Sequence, residues 1–244
     1  MKLKELNELI RNENKCEEYL RSTGILKTFT NCISCGSTSL GMIRSDRYRC
    51  YSCKKEWSRR KGSILTVTRF NYSEFLICLK YFEVEFTAEM TSSEFGLNYK
   101  TVRMLYNLFR MKMGSIDEGT LEKFSKSVKG DTKTIGLNYK NGQVSFELEP
   151  KPTDDATVKS VRHRVQNSAA YYEVTLEKLK TDIMEGKGAN YISPIERFWR
   201  FAAEKLFKYR GTEQAYFILY LKELEFRFNH RGEDLLDAII AKLA

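Results

Sequence analysis

Four of the six cysteines fall at Cys32, Cys35, Cys50 and Cys53, a Cys-x2-Cys-x14-Cys-x2-Cys array. Each Cys-x-x-Cys pair suits a tight turn that aims two thiolates at one point. Two such turns facing each other make the tetrahedral sulfur site that Zn²⁺ prefers. Two disulfides are the competing use of four cysteines, and the reducing interior expected for this chain favours the metal. Four thiolates leave no open coordination position, so the expected zinc is structural and does no chemistry. It supplies much of the folding energy of a segment with little core of its own. Cys16 and Cys78 lack partners at ligand spacing. Cys16 follows Leu3, Leu6 and Ile10 at helical spacing, and Cys78 lies inside Phe75-Leu76-Ile77-Cys78-Leu79, so both are expected as small buried hydrophobes.

Basic residues crowd the second cysteine pair. From Arg44 to Lys61, eight of eighteen residues are Lys or Arg against only Asp46 and Glu56, which places six of the chain's net +9 charges in this segment. The stretch from Arg47 to Trp57 reads as the second hairpin of a zinc ribbon, with aromatic and basic side chains interleaved. Arg47, Arg49, Lys54, Lys55, Arg59, Arg60 and Lys61 are therefore candidate phosphate contacts, while Tyr48, Tyr51 or Trp57 packs on the ribbon. Zinc ribbons also dock onto proteins, so an adaptor of transcription or replication machinery is the alternative use of this module.

A second candidate reader of nucleic acid follows. Residues from Ser73 to Phe86 read as a helix, and the segment from Thr87 to Val102 has the small-residue and glycine pattern of a helix-turn-helix. Gly96 suits the positive φ of the tight turn, Ser92 lets two helices approach, and Phe95, Leu97 and Leu105 fill their shared core. Asn98 is the expected N-cap of the second helix, which presents Tyr99, Lys100, Thr101 and Arg103 at the end that reaches base edges in a major groove.

The elements that must position these groups are legible in outline. A chain of 244 residues with 42% apolar and 13% aromatic content has enough material for one or two folded domains. No apolar run reaches the roughly 18 residues of a membrane span, and the charged first fifteen residues leave no signal-peptide core. The expectation is an intracellular, soluble, basic protein with no membrane partner and no small-molecule substrate. Beyond Leu121 the residues from Lys126 to Gly136 are β-prone, Asn141-Gly142 is a hairpin signal, and Val144, Phe146 and Leu148 alternate before Pro150 and Pro152. Asp154 to Gln166 reads as a helix carrying Val158, Val161 and Val165, and Ala169 to Glu173 as a short strand. Three apolar stripes at helical spacing close the chain: Ile195, Phe198, Trp199, Ala202 and Leu206; Phe217, Leu221, Leu224 and Phe228; and Leu235, Leu236, Ile239, Ile240 and Leu243. The implied fold class is mixed α/β of the α+β kind, a mixed sheet flanked by helices.

The order of these features resembles a known family. A four-cysteine ribbon leaving through Trp57-x-x-Arg60, a helix-turn-helix, short strands, Ile195-Glu-Arg-Phe-Trp199 and the closing Glu223-x-x-Phe-Arg-Phe-Asn-x-Arg231 look like the insertion-sequence transposases related to the eukaryotic Merlin elements. Those proteins join a zinc ribbon to an RNase H-like domain. The resemblance implies an N-terminal helical segment over 1–29, a zinc ribbon over 30–62, a helix-turn-helix region over 63–115 and an RNase H-like domain over 120–244. It also implies a DNA partner, a homodimer that pairs two DNA ends, and residence in the nucleus of a eukaryote or the cytoplasm of a bacterium.

In the family, three acidic or amide side chains hold two Mg²⁺ ions about 4 Å apart for DNA cleavage and strand transfer. Carried across, those positions are Asp131, Glu173 and Glu196, with Mg²⁺ or Mn²⁺ as the catalytic ion. The chain departs from the pattern at Thr132, where Glu is usual, at Glu173, where Asp is usual, and at Ser193, where a further ligand is usual. One extra methylene at Glu173 moves its carboxylate by about an ångström, and catalytic metal geometry tolerates little of that. The expected protein is a DNA-binding relative whose acidic triad is degenerate, with an active Mg²⁺-dependent transposase as the alternative.

Overall fold

Helices open the chain because caps and short apolar stripes are in place. Helix α1 (Leu3–Leu9) buries Leu6, and α2 (Glu13–Ser22) buries Cys16 and Leu20. The Asn12 side chain starts α2 by accepting hydrogen bonds from the amides of Asn14 and Lys15, at 2.9 and 3.2 Å. The computed structural model describes residues 1–44, 46–129, 133–150, 160–164, 171–175, 194, 197–198, 201–202, 205 and 216–244.

Strands β1 (Leu40–Arg44), β2 (Arg47–Cys50) and β3 (Glu56–Ser58) form an antiparallel sheet in that order. So small a sheet cannot bury much surface, and its core is Cys32, Cys50 and Trp57 with Phe29, Leu40 and Tyr48 packed around them. Trp57 stacks on Tyr48 at 5.9 Å between ring centroids and meets Phe29 edge-on at 5.7 Å.

A single 3₁₀ turn (Ile64–Val67) leads to α3 (Tyr72–Glu83), which starts one residue before the expected Ser73 and ends three before Phe86. Asn71 and Glu74 form its capping box: the Glu74 amide donates to Asn71 at 2.8 Å, and the Asn71 amide donates to the Glu74 carboxylate at 2.8 Å. Helices α4 (Ala88–Phe95) and α5 (Tyr99–Met113) follow. Phe82 packs edge-on against Tyr106 and Phe109, at 4.9 and 5.2 Å, and Thr91 is hydrogen-bonded to the Tyr106 hydroxyl at 2.8 Å inside this core.

Helix α6 (Glu118–Lys129) comes next, so Lys126 to Lys129, expected as β-prone chain, are helical. Strands β4 (Lys133–Lys140) and β5 (Gln143–Pro150) are joined by Asn141 and Gly142, both at positive φ (52° and 82°), the two-residue turn that matches strand twist. Strand β6 (Ser160–Arg164) lies where a helix was expected. Of the valines at helical spacing, Val158 and Val165 lie outside the described residues, while the β-branched Val161 favours the strand once a neighbour pairs with it. That neighbour is β7 (Tyr171–Thr175), antiparallel to β6 and parallel to β4, which gives a sheet of order β5-β4-β7-β6.

Helix α7 (Phe217–Asn229) carries the expected stripe, with Phe217, Leu221, Leu224 and Phe228 all buried. Phe198 joins this core, 5.3 Å from the rings of both Phe146 and Phe228. Burying each such side chain contributes roughly 1.5–3 kcal/mol. Helix α8 (Leu235–Leu243) buries Leu236, Ile239, Ile240 and Leu243.

Two compact units result: Met1–Phe109 together with Asp234–Ala244, and Arg110–Glu233. Helix α8 belongs to the first unit, where Ala244 lies against Gly24. The pattern of α8 showed that it buries one face and could not show against what.

The closing motif has a structural explanation. Among the described strands β5 is at the edge, and α7 covers that edge with polar side chains one turn apart. The Asn229 side chain accepts the Val144 amide at 2.9 Å and donates to its carbonyl at 2.8 Å, while the Phe146 amide donates to Glu225 at 2.7 Å. Four helical residues rise about 6 Å and two strand residues about 6.8 Å, so residues four apart on a helix can follow alternate residues of a strand. Asn229→Ala is expected to cost about 1–3 kcal/mol, because it strips two backbone groups of their partner. Faster amide exchange at Val144, with α7 still folded, would be the signature.

Candidate metal centre

The four cysteines of the array converge. Their sulfur atoms all lie within 4.8 Å of one another, with Cys32 to Cys53 and Cys35 to Cys50 both at 3.6 Å. A tetrahedron of thiolates at the usual Zn–S distance has an edge of about 3.8 Å, whereas a disulfide needs about 2.05 Å. The spacing fits one zinc ion and no disulfide, and all four are free thiols.

The two turns are built alike. Gly36 and Lys54, each directly after the second cysteine of its pair, have φ of 73° and 62°. The Cys32 amide donates to the Ser37 carbonyl at 2.8 Å, and the Cys50 amide to the Lys55 carbonyl at 2.9 Å, so each loop closes over the same span. Within each turn the first sulfur accepts backbone amides: Ser34 and Cys35 donate to Cys32 at 3.3 and 3.5 Å, and Cys53 donates to Cys50 at 3.5 Å.

Those bonds set the charge state. The Cys53 amide, helped by Ser52 and opposed by burial, holds the Cys50 thiol down to about 6. Burial works against Cys32 too, yet the amides of Cys35 and Ser34 lower it overall. At Cys35 the Ser37 amide pulls downward, but the neighbouring sulfurs of Cys53, Cys32 and Cys50 push the thiol up to about 12. Sulfurs this close repel one another's charge, so all four can be thiolates only around a cation, and a soft divalent ion such as Zn²⁺ is what the donor set fits.

Cys16 and Cys78 stand apart from this chemistry as expected. Both are fully buried, and burial pushes their thiols up to about 11 and about 12.

The sequence-derived contact residues divide into two groups. Arg47 and Arg49 point from the same face of β2, and Glu56 of β3 lies 3.8 Å from each. Lys54, Lys55 and Lys61 are exposed. Tyr51 is also exposed, and its ring lies over Gly41, where a Cβ would fall 2.1 Å from the hydroxyl. Arg59 and Arg60 are engaged inside the first unit instead. Arg59 pairs with Glu17 of α2, and Arg60 donates to the Phe70 carbonyl at 2.7 Å while lying 5.0 Å over the Tyr72 ring. The partners Glu17 and Tyr72 escaped the sequence reading, since nothing local links positions so far apart.

The helical pair takes the expected form. Gly96 ends α4 at φ 63° in the left-handed region, and Asn98 accepts the Thr101 amide at 3.1 Å as N-cap of α5. Tyr99 and Lys100 are exposed at that helix start, whereas Thr101 and Arg103 are half-buried. The Thr101 hydroxyl turns back to Asn98 at 3.2 Å.

Of the carboxylates assigned from the resemblance, Asp131 and Glu196 lie outside the described residues, and Glu173 is the middle residue of β7.

Over 41 residues the chain is 49% identical to an uncharacterized transposase-like protein of Haemophilus influenzae, a stretch that makes up 17% of this chain and 33% of that relative. The match thus spans a third of the relative's own length. No family model matches the chain, and no solved structure matches it. The chain is thus similar to a transposase-like protein over one short stretch, and it carries a four-cysteine cluster that fits a structural zinc ion.

Proposed function

We propose that this chain is a DNA-binding, zinc-containing, transposase-like protein, in which the ribbon and the helix-turn-helix contact DNA. The observation that carries the reading is the four-sulfur cluster in a ribbon whose basic side chains include the half-buried Arg47 and Arg49 and the exposed Lys54 and Lys55. Zinc stiffens a small sheet so that these cations are held in one arrangement. Phosphates are their natural partners, because neutralising each one releases a condensed counterion. Tyr99 and Lys100 at the capped start of α5 supply the base-contacting end, and a dimer that pairs two DNA ends belongs to the same reading.

The second unit is read as the RNase H-like half. Its mixed sheet, with one parallel pairing between β4 and β7, is of the kind the resemblance calls for. Thr132, Glu173 and Ser193 stand where the family has other residues, which favours a protein that recognises DNA without cutting it.

The test is duplex affinity measured by fluorescence anisotropy across a salt series. The logarithm of affinity is expected to fall linearly with the logarithm of salt, and the paired Arg47→Ala, Arg49→Ala variant to flatten the slope by about 2. Lys100→Ala weakens binding as well. A protein-docking adaptor would instead show affinity indifferent to salt and to all three substitutions. Incubation of the gene's own flanking DNA with Mg²⁺ or Mn²⁺ completes the experiment: nicking that Asp131→Ala abolishes would restore the active-transposase reading.

A further inference from the structure

Helix α2 carries two carboxylates one turn apart, and each reaches a different part of the first unit. Glu13 caps α3: its two oxygens accept the amides of Tyr72 and Ser73, both at 3.0 Å. A carboxylate there satisfies open amides and meets the positive end of the helix dipole. Glu17, only 11% exposed, accepts the Arg21 guanidinium at 2.7 and 2.9 Å and pairs with Arg59 from the ribbon exit.

The ribbon exit grips the same helix start from the other direction. Arg60 lies over the Tyr72 ring and donates to the Phe70 carbonyl. Tyr72 is therefore held by its backbone through α2 and by its ring through the ribbon. The residues that follow β3 keep their place through the sheet, since the Arg59 amide donates to the Asp46 carbonyl at 2.8 Å. Strand β3 has three residues, and it pairs with β2, which ends at Cys50. Trp57 packs β3 on Phe29 and Tyr48, but a core this small leaves the metal as the main source of order in the sheet, and its loss loosens the anchor of the two arginines.

We propose that Glu17 is a positioning residue that couples zinc occupancy of the ribbon to the start of α3, the helix that leads into the helix-turn-helix. Zinc orders the ribbon, the ribbon seats Arg59 and Arg60, and these seat α2 and α3 against each other. The two DNA-contacting modules then form one rigid head while zinc is bound. Linkage is reciprocal: breaking the Glu17–Arg59 pair must weaken zinc binding by the factor through which zinc strengthens the pair. The inference rests on the zinc reading of the cluster, and the experiment separates the two.

Hydrogen exchange read by mass spectrometry on the full chain, with zinc and after chelation, is the first measurement. Chelation is expected to speed exchange by about tenfold in 13–22 and 72–76 as well as in the ribbon. Competition with a chromogenic chelator is the second. Glu17→Gln is expected to keep one zinc per chain with a dissociation constant raised about tenfold, although Glu17 is no metal ligand. Arg60→Lys, which keeps the charge and loses the planar fork, gives the same direction if Glu17→Gln does not fold. Exchange that rises only within 29–58, or zinc affinity unchanged in both variants, would overturn the coupling. A wild-type chain that takes up no zinc would overturn the reading of the metal centre itself.

Discussion

Cys50→Ser is expected to yield a protein that carries no zinc after gel filtration, against one ion per chain for the wild type. The serine hydroxyl is not ionised near neutral pH and cannot replace the thiolate that the Cys53 amide stabilises. Cys50 is also fully buried at the end of β2, paired in register with Leu40, so its replacement disturbs ligand and sheet together. Structural zinc sites contribute about 10–16 kcal/mol of binding energy near neutral pH, and a ribbon whose core is one tryptophan and two cysteines has nothing comparable in reserve. Trp57, 3% exposed in the folded ribbon, reports the loss as a red shift of its emission. Cys16→Ala, outside the sulfur cluster, serves as the control and retains the ion. Undiminished zinc in Cys50→Ser would remove the metal centre from this account.

The second large effect is expected at Glu223. In the Arg110–Glu233 unit this carboxylate is 1% exposed and receives Arg110 Nε at 2.6 Å and Arg227 Nε at 2.8 Å. Arg110 also lies 4.0 Å over the Tyr220 ring. Burial raises the carboxyl, yet the two guanidiniums outweigh it and hold the group below its ordinary value of 4.5. Glu223→Ala leaves two buried cations without the anion they share and is expected to cost about 3–5 kcal/mol of stability. Because the folded pKa is depressed, the stabilisation is complete above 4.5 and is lost as pH falls through the lower folded value. Denaturant unfolding over an acid series therefore separates the proteins: the wild type loses stability on acidification, and the variant loses less. Equal stability near neutral pH would show that the cluster does not hold this unit together.

The sulfur centre was legible in the sequence because its chemistry is local. Ligands two residues apart can only sit on one turn, and two such turns brought together by β1 and β2 leave one tetrahedral arrangement. Gly96 and Asn98 were legible for the same reason, since a left-handed turn and an N-cap are properties of a few adjacent residues. The strand at Ser160–Arg164 was not legible. A helical spacing of valines across 158–165 carries no information about a pairing partner, and pairing with β7 decided the matter. The closing Glu-x-x-Phe-Arg-Phe-Asn-x-Arg pattern was visible as a motif, but only the fold gave its residues work. Asn229 and Glu225 cover the β5 edge, while Glu223 joins Arg110 from 113 residues away.

Seven basic residues of the ribbon segment looked equivalent in sequence: Arg47, Arg49, Lys54, Lys55, Arg59, Arg60 and Lys61. Charge and composition alone determined that the segment is cationic and that its cysteines favour a metal. Tertiary structure decided that Arg59 and Arg60 turn inward to Glu17 and Tyr72 while Lys54, Lys55 and Lys61 face solvent. The physical reason is that a guanidinium's role depends on which acceptor lies within hydrogen-bond reach, and those acceptors come from parts of the chain that only folding brings near.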